Sequence, residues 1–212
     1  MKETTKQILT EMVDRYPQMQ GNANEIFAVY EILEKCFASG HRLYLCGNGG
    51  SASDCEHIAG ELLKSFKKPR PLADNLVEGL KKYGDRGQVL IENMQGGLPT
   101  VSLCGHTAFS TAFQNDCDPM FVFAQQVGAW GESGDVLLTL STSGNSKNCI
   151  YAATVAKAKN MSVVALLGGR GGELKSLADA SVVVPEKETY KVQELHLPVY
   201  HCLCAMLEEE FF

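Results

Sequence analysis

The chain has 212 residues, of which 45% are hydrophobic and 21% charged, and its formal net charge is −6. This length suffices for one α/β domain with a sizeable core, so residues 1–212 are treated as a single domain. The acidic balance and the absence of a basic block argue against nucleic acid as a partner. No apolar run approaches the roughly 18 residues that a membrane helix needs, and the N-terminal residues lack the apolar stretch of a secretory signal.

Two helices are expected ahead of the first strand, over residues 1–40. Thr4–Tyr16 carries apolar residues at helical spacing, and Asn22 or Asn24 can cap a second helix that ends near Ser39.

Five short apolar runs predict strands, and helical patterns separate most of them. The runs are Leu43–Cys46, Leu98–Leu103, Val136–Leu140, Ser162–Leu167 and Ser181–Val184. Helices are expected after Ser51, over Phe121–Trp130, from Ser146 to Lys159 and over Thr189–Glu210, while Phe109–Asp118 reads as a loop or a short helix. This alternation indicates a doubly wound parallel sheet with ligands outside the carboxyl ends of its strands.

An additional segment, at about residues 73–97, lies between the helix that follows Ser51 and the second strand. Its amphipathic pieces, near Asn75–Tyr83 and Gln88–Met94, predict helices. Its position allows a lid, a wall of the ligand pocket, or a surface excursion that thickens an oligomer interface.

The turn after the first predicted strand has the composition of an anion site. Gly47-Asn-Gly-Gly-Ser51 permits unusual backbone angles, and Ser51 is a suitable helix N-cap. Free N–H groups at such a helix start bind anions. His57 and Glu61 are four residues apart and therefore share one face of that helix. The alternative is a plain turn with a chance surface His–Glu pair.

A second turn, Ser141–Ser146, follows the third predicted strand and offers four hydroxyls around one glycine. Hydroxyls and a helix start without a lysine suit a small phosphate monoester, and the Gly-x-x-x-x-Gly-Lys-Ser/Thr nucleotide loop is absent. The alternative is a capped turn. Gly168–Gly172 is read as a flexible turn in preference to a ligand contact.

Eight cysteines are scattered along the chain, with no Cys-x-x-Cys pair. This pattern favours reduced and mostly buried thiols in a cytoplasmic protein over a disulfide framework.

Three motifs resemble the sugar isomerase (SIS) domain family, and within it the phosphoheptose isomerase branch. They are Cys46-Gly-Asn-Gly-Gly-Ser51 with His57 and Glu61, Leu138-Thr-Leu-Ser-Thr-Ser-Gly-Asn-Ser146, and Gln193-Glu-Leu-His-Leu-Pro-Val-Tyr-His201. The motifs follow the family's order, and the likeness covers most of the chain. The resemblance implies a flavodoxin-like five-stranded parallel sheet, a homotetramer, and aldose–ketose isomerisation of a phosphorylated sugar, with sedoheptulose 7-phosphate as the expected substrate.

The resemblance also implies roles for individual residues. The phosphate and neighbouring hydroxyls would be held by Ser51, Ser141, Thr142, Ser143 and Ser146. The sugar would be contacted by Asn48, Gly49, Gly50, Asn115, Asp116 and Gln193. Glu61 would be the base and His201 the acid. In zinc-binding members the ligands would correspond to His57, Glu61, Gln193 and His201.

These residue types suit the chemistry. Moving a carbonyl between C1 and C2 needs a base for the C–H proton and an acid at the oxygen, and a zinc ion could polarise that oxygen. Glu61 would be a weaker base as a zinc ligand, so its dominant role is left open. The alternative function is a non-catalytic sugar-phosphate-binding regulator or adaptor, which the presence of both Glu61 and His201 disfavours.

The apolar C-terminal helix suits packing between subunits. We therefore expect active sites at subunit interfaces, with the Ser51–Phe66 helix of one chain facing the C-terminal helix of another.

Overall fold

All five predicted strands are present in the computed structural model, which describes residues 1–212. They are β1 (Leu43–Gly47), β2 (Thr100–Ser102), β3 (Val136–Ser141), β4 (Ser162–Leu167) and β5 (Ala180–Val183). Every pairing is parallel, and the strand order is β2-β1-β3-β4-β5. This is the flavodoxin-like order, so the predicted fold class is confirmed.

Ten helices accompany the sheet. They are α1 (Glu3–Arg15), α2 (Ala23–Ala38), α3 (Gly50–Leu63), α4 (Asp74–Lys81), α5 (Gly84–Asn93), α6 (Thr107–Asp116), α7 (Val122–Trp130), α8 (Lys147–Ala158), α9 (Gly172–Leu177) and α10 (Thr189–Phe211). Short 3₁₀ turns occupy Pro17–Asn22 and Pro119–Phe121. No helix is both long and apolar enough to cross a membrane.

Alternate strand residues face two separate cores, one on each side of the sheet. In β1, Leu43 and Leu45 pack on the side of α1, α2, α3 and α10. Tyr44 and Cys46 pack on the side of α7, α8 and α9, where the phenylalanines of α6 also contact the core. The strands are buried on both faces because helices cover both, which explains why they read as continuous apolar runs.

Two local expectations are corrected. The helix after the first strand begins at Gly50 with Gly49 as its N-cap residue, so Ser51 is not the cap. Gly49 has φ +58°, and this left-handed conformation turns the chain into the helix one residue earlier. In addition, α9 was not expected, because its six residues are too few to show a helical period.

The additional segment forms the helical hairpin α4–α5, as its amphipathic pieces predict. The two helices pack chiefly against each other. A surface cleft joins the base of the hairpin to the C-terminal residues Phe211 and Phe212. The hairpin therefore stands beside the C-terminal end of α10 and leaves several apolar side chains exposed: Leu76, Tyr83, Val89, Leu90 and Met94.

Candidate active site

Both predicted anion turns lie at the crevice where the strand order reverses. β1 and β3 are neighbours, and Gly47 pairs with Leu140 at their carboxyl ends. Asn48 and Asn148 join the two turns through reciprocal side-chain hydrogen bonds of 2.9 and 2.8 Å. Open parallel sheets bind ligands at such a reversal point.

Close packing explains the glycines of the first turn. A Cβ on Gly47 would lie 2.8 Å from the carbonyl oxygen of Ser51, so the first turn of α3 leaves no room for a side chain. A Cβ on Gly50 would lie 2.6 Å from Nε2 of Gln193. The Gln193 amide therefore lies directly against the turn.

The second turn orients its hydroxyls through short-range hydrogen bonds. Ser141 Oγ lies 2.9 Å from Ser146 Oγ and accepts a hydrogen bond of 3.1 Å from the Gly144 N–H. Ser143 is exposed, and its Oγ accepts from the Asn145 N–H at 3.2 Å. Thr142 is half-buried between these serines.

The glycine-rich segment before α9 supports the second turn. The N–H groups of Glu173 and Leu174 donate to the Asn145 side chain and the Gly144 carbonyl at 3.1 and 3.0 Å. Gly171 and Gly172 touch Gly144 so closely that no Cβ fits there. Gly168–Gly172 therefore has a structural role beside the turn.

His57, Glu61 and His201 form a separate cluster where α3 and α10 pack side by side. His57 Nε2 lies 3.3 Å from Glu61 Oε1, as their spacing on one helix predicts. The same nitrogen lies 3.5 Å from His201 Nε2. Helices α3 and α10 run side by side in the same direction, since Gly50 meets Gln193 and His57 meets His201.

Partial burial shapes the electrostatics of this centre. Burial lowers the pKa of His201, the neighbouring His57 lowers it further, and Glu61 opposes both. His201 is therefore a neutral imidazole near pH 7, which donates one proton and accepts another. Glu61 Oε2 is buried without a hydrogen-bond partner, and the nearest cation, Lys64 Nζ, is 3.9 Å away.

Tyr200 and Asp54 contact the other ring nitrogen of His57. The Tyr200 hydroxyl lies 3.1 Å from His57 Nδ1 and donates to Asp54 Oδ1 at 3.2 Å. Burial raises the pKa of both Tyr200 and Asp54. Neither residue was predicted as part of the site. The available signal was the spacing of Asp54 and His57, which are three residues apart and share a helix face.

Arg70, also missed from the sequence, fixes the C-terminal end of α3. Its guanidinium donates to the backbone carbonyls of Glu61 and Leu62, each at 2.8 Å, and its Nε donates to Glu208 at 2.8 Å. Both charged side chains are buried. The pair ties the helix of the predicted base to the helix of the predicted acid.

The residues expected to bind zinc have suitable donor atoms, but only some of the distances between them match a zinc site. Two ligands at 2.0–2.1 Å from a tetrahedral zinc are about 3.3 Å apart, which matches the His57–Glu61 and His57–His201 distances. Gln193 lies instead beside Gly50, about 10 Å along α3 from His57. No group of three or more His, Cys, Asp or Glu side chains is placed to hold a metal.

Two further expectations concern the sugar contacts of Asn115 and Asp116 and the pairing of α3 with α10. Asn115 and Asp116 lie exposed at the end of α6, hydrogen-bonded to each other at 2.9 Å. The phenylalanines of α6 pack on the opposite side of the sheet from α3 and α10. A single chain brings both Glu61 and His201 to His57, so α3 and α10 of the same chain share this centre. The expectation that α3 of one chain also faces α10 of another stays a prediction.

A parallel sheet with two turns rich in Gly and Ser at its reversal point, and a His–Glu–His cluster on α3 and α10, fits a sugar isomerase domain. A sequence profile of the SIS domain family matches residues 86–168. The phosphoheptose isomerase of Nitratiruptor is 38% identical over 80% of this chain and 78% of its own length. That of Thermodesulfovibrio yellowstonii is 36% identical over 90% of this chain and 83% of its own.

Solved structures agree with the sequence relatives. The phosphoheptose isomerase of Neisseria gonorrhoeae superposes with a TM-score of 0.72 at 29% identity, covering 93% of this chain and 94% of that one. The Francisella tularensis enzyme gives 0.71 at 27% identity, covering 98% and 94%. The chain belongs to the phosphoheptose isomerase family of SIS-domain isomerases.

Proposed function

We propose that this protein interconverts sedoheptulose 7-phosphate and glycero-manno-heptose 7-phosphate. The observation that carries the proposal is the approach of Glu61 and His201 to His57, within 3.3 and 3.5 Å, beside two anion turns. The names of the relatives support a phosphorylated heptose as substrate. The presence of Glu61 and His201 in one cluster supports the enzyme over the alternative of a non-catalytic regulator.

The chemistry follows from the positions of these side chains. Glu61 takes a proton from C1 of the ketose, and His201 protonates the carbonyl oxygen, which gives an enediol. Glu61 returns the proton to C2, and His201 accepts one from the hydroxyl oxygen at C1, which becomes the aldehyde carbonyl. Glu61 Oε2 accepts no hydrogen bond within the chain, so this carboxylate oxygen is free to accept the substrate proton.

The phosphate is assigned to the two turns. Ser51 lies beside the first turn, and the second turn carries the hydroxyls of Ser141, Thr142, Ser143 and Ser146. Neutral donors at two helix starts suit a dianionic monoester. Gln193 and Asn48 border the first turn and are assigned to the sugar hydroxyls nearest the phosphate.

Glu61→Gln tests the base. The substitution preserves shape and removes the proton acceptor, so turnover should fall by about 100-fold or more, the usual contribution of a general base. The melting temperature and the affinity for the phosphosugar should change little. The exposed Glu56 lies on the same helix, and Glu56→Gln provides the control with wild-type turnover. A Glu61→Gln enzyme with wild-type kcat would remove Glu61 from the mechanism.

We also propose one zinc ion per site, bound by His57, Glu61, Gln193 and His201 once these side chains rearrange around the ion. The bound ion would polarise the substrate oxygen. Support comes from the donor types and the two matching distances. Metal analysis of the purified protein, with His57→Gln as the comparison, tests this assignment.

We further propose a cytoplasmic homotetramer whose sites are completed across subunit interfaces. Support comes from the eight free cysteines, six of them buried, and from the exposed apolar side chains of the α4–α5 hairpin. Asn115 and Asp116, which lie in the opposite layer from Glu61, would then contact the sugar of a neighbouring chain.

A further inference from the structure

His57 presents two ring nitrogens to two different environments. Nε2 faces Glu61 Oε1 at 3.3 Å and His201 Nε2 at 3.5 Å. Nδ1 faces the Tyr200 hydroxyl at 3.1 Å. A neutral imidazole carries one proton, so its location decides which nitrogen offers a lone pair to the reaction centre.

The hydrogen-bonding needs of Asp54 decide between the two tautomers. The Tyr200 hydroxyl, 3.2 Å from Asp54 Oδ1, is the one donor to this carboxylate, and Oδ2 is buried without a partner. If Tyr200 donated to His57 instead, the carboxylate would have no hydrogen bond at all, which is costly for a partly buried charge. Tyr200 is 1% exposed and is held between the two side chains.

We propose that Tyr200 and Asp54 are positioning residues that hold His57 as its Nδ1–H tautomer. In this relay the Nδ1–H donates to the Tyr200 oxygen, and the Tyr200 hydroxyl donates to Asp54. The Nε2 lone pair then points at Glu61 and His201. The tautomer of His57 is independent of the proposed function; only the use of its Nε2 at the reacting centre rests on that function.

The relay opposes the proton position that His57 and Glu61, one turn apart on α3, would favour on their own. Without it, the Glu61 carboxylate, whose Oε1 lies 3.3 Å from His57 Nε2, would attract the proton to that nitrogen. With it, the Nε2 lone pair meets a carboxylate oxygen, and these two centres of negative charge favour a cation between them. Such a tautomer is the one in which a histidine binds a metal ion, with its other N–H held by a second hydrogen bond.

Nitrogen NMR of the histidine rings, on EDTA-treated protein at pH 8, measures the tautomer directly. The His57 signal is assigned by its loss in His57→Gln. Wild-type His57 should be predominantly Nδ1–H, and Tyr200→Phe should shift it at least tenfold toward Nε2–H. The matched control is Tyr44→Phe, since the Tyr44 hydroxyl donates to the Trp130 carbonyl away from the centre. An Nε2–H tautomer in the wild type, or an unchanged spectrum in Tyr200→Phe, overturns the relay.

Asp54→Asn gives a second test that keeps the shape of the site. The amide can donate to the Tyr200 oxygen, which reverses the relay and places the proton on His57 Nε2. In a chelator competition assay, zinc affinity should fall by about 10–100-fold in both Tyr200→Phe and Asp54→Asn. If both variants bind zinc as tightly as the wild type, the claim that the relay keeps the His57 Nε2 lone pair free for a cation is overturned. The NMR result decides the relay even if the protein fails to isomerise a heptose phosphate, so the two proposals fail separately.

Discussion

Ser143 carries an exposed hydroxyl in the second turn that the fold uses little. It is exposed, and its Oγ only accepts one hydrogen bond, from Asn145 at 3.2 Å. A hydrogen bond to a charged phosphate is worth about 1.5–3 kcal/mol, so Ser143→Ala should weaken phosphosugar binding roughly tenfold or more. Calorimetric titration measures this, with Ser176→Ala in α9 as the control. Unchanged affinity would identify Ser141–Ser146 as a capped turn without a phosphate.

His196 should make stability depend on pH. It is buried with Nε2 at 3.3 Å from the Leu167 carbonyl, and burial lowers its pKa from 6.5 to about 4. Below pH 6.5 the unfolded chain takes up a proton that the folded chain refuses until about pH 4. The free energy of unfolding should therefore decrease across this window, by roughly 3 kcal/mol in total.

Denaturant unfolding at pH 7 and pH 5 measures this dependence. His196→Gln keeps a donor for the Leu167 carbonyl and removes the titrating ring, so its stability should fall less between the two pH values. Equal losses in the variant and the wild type would assign the pH dependence to other groups.

At the scale of the elements, the Arg70–Glu208 pair joins α3 to α10. Burial alone would raise the pKa of Glu208, but the N–H groups of Phe66 and Lys67 and the Arg70 guanidinium outweigh it and lower the pKa. Glu208→Gln leaves the buried guanidinium without its counter-charge, which costs about 3–5 kcal/mol. Because Arg70 also holds the Glu61 carbonyl, kcat should fall as well.

The neighbouring Glu209 provides the control for this prediction. It pairs with Lys68 at 2.8 Å on the exposed side of α10, and such surface pairs contribute about 0–1 kcal/mol. Thermal unfolding of Glu208→Gln and Glu209→Gln should therefore differ clearly. Similar melting temperatures would show that the buried pair contributes no more than the surface pair.

The same elements show how much the sequence predicted. The strands followed from apolar runs, since both faces of a parallel strand are buried, and His57 and Glu61 followed from helical spacing. Tyr200, Arg70 and Glu208 were missed because their contacts join residues up to 146 positions apart. No local pattern records such contacts. The Ser51 cap was wrong because a positive φ at Gly49 starts the helix earlier.

At the scale of the whole molecule, the position of α6 bears on whether a second chain completes the proposed site. Glu61 and His201 both approach His57 within one chain. Asn115 and Asp116 lie on a helix of the opposite layer and form no hydrogen bond with that centre. If they contact the sugar, a neighbouring subunit is the natural source of that contact.

Mixed oligomers test whether Asp116 acts on the site of a neighbouring subunit and whether Glu61 and His201 act within one chain. Co-refolding Glu61→Gln chains with Asp116→Ala chains should restore activity, because some sites combine an intact centre with an intact Asp116 from the neighbour. Co-refolding Glu61→Gln with His201→Ala should restore none, since both groups belong to the centre of a single chain. Size-exclusion chromatography with differently tagged chains verifies that mixed oligomers form. Recovery in the second pair would mean that Glu61 and His201 act from different subunits, and failure in the first would place Asp116 outside a shared site.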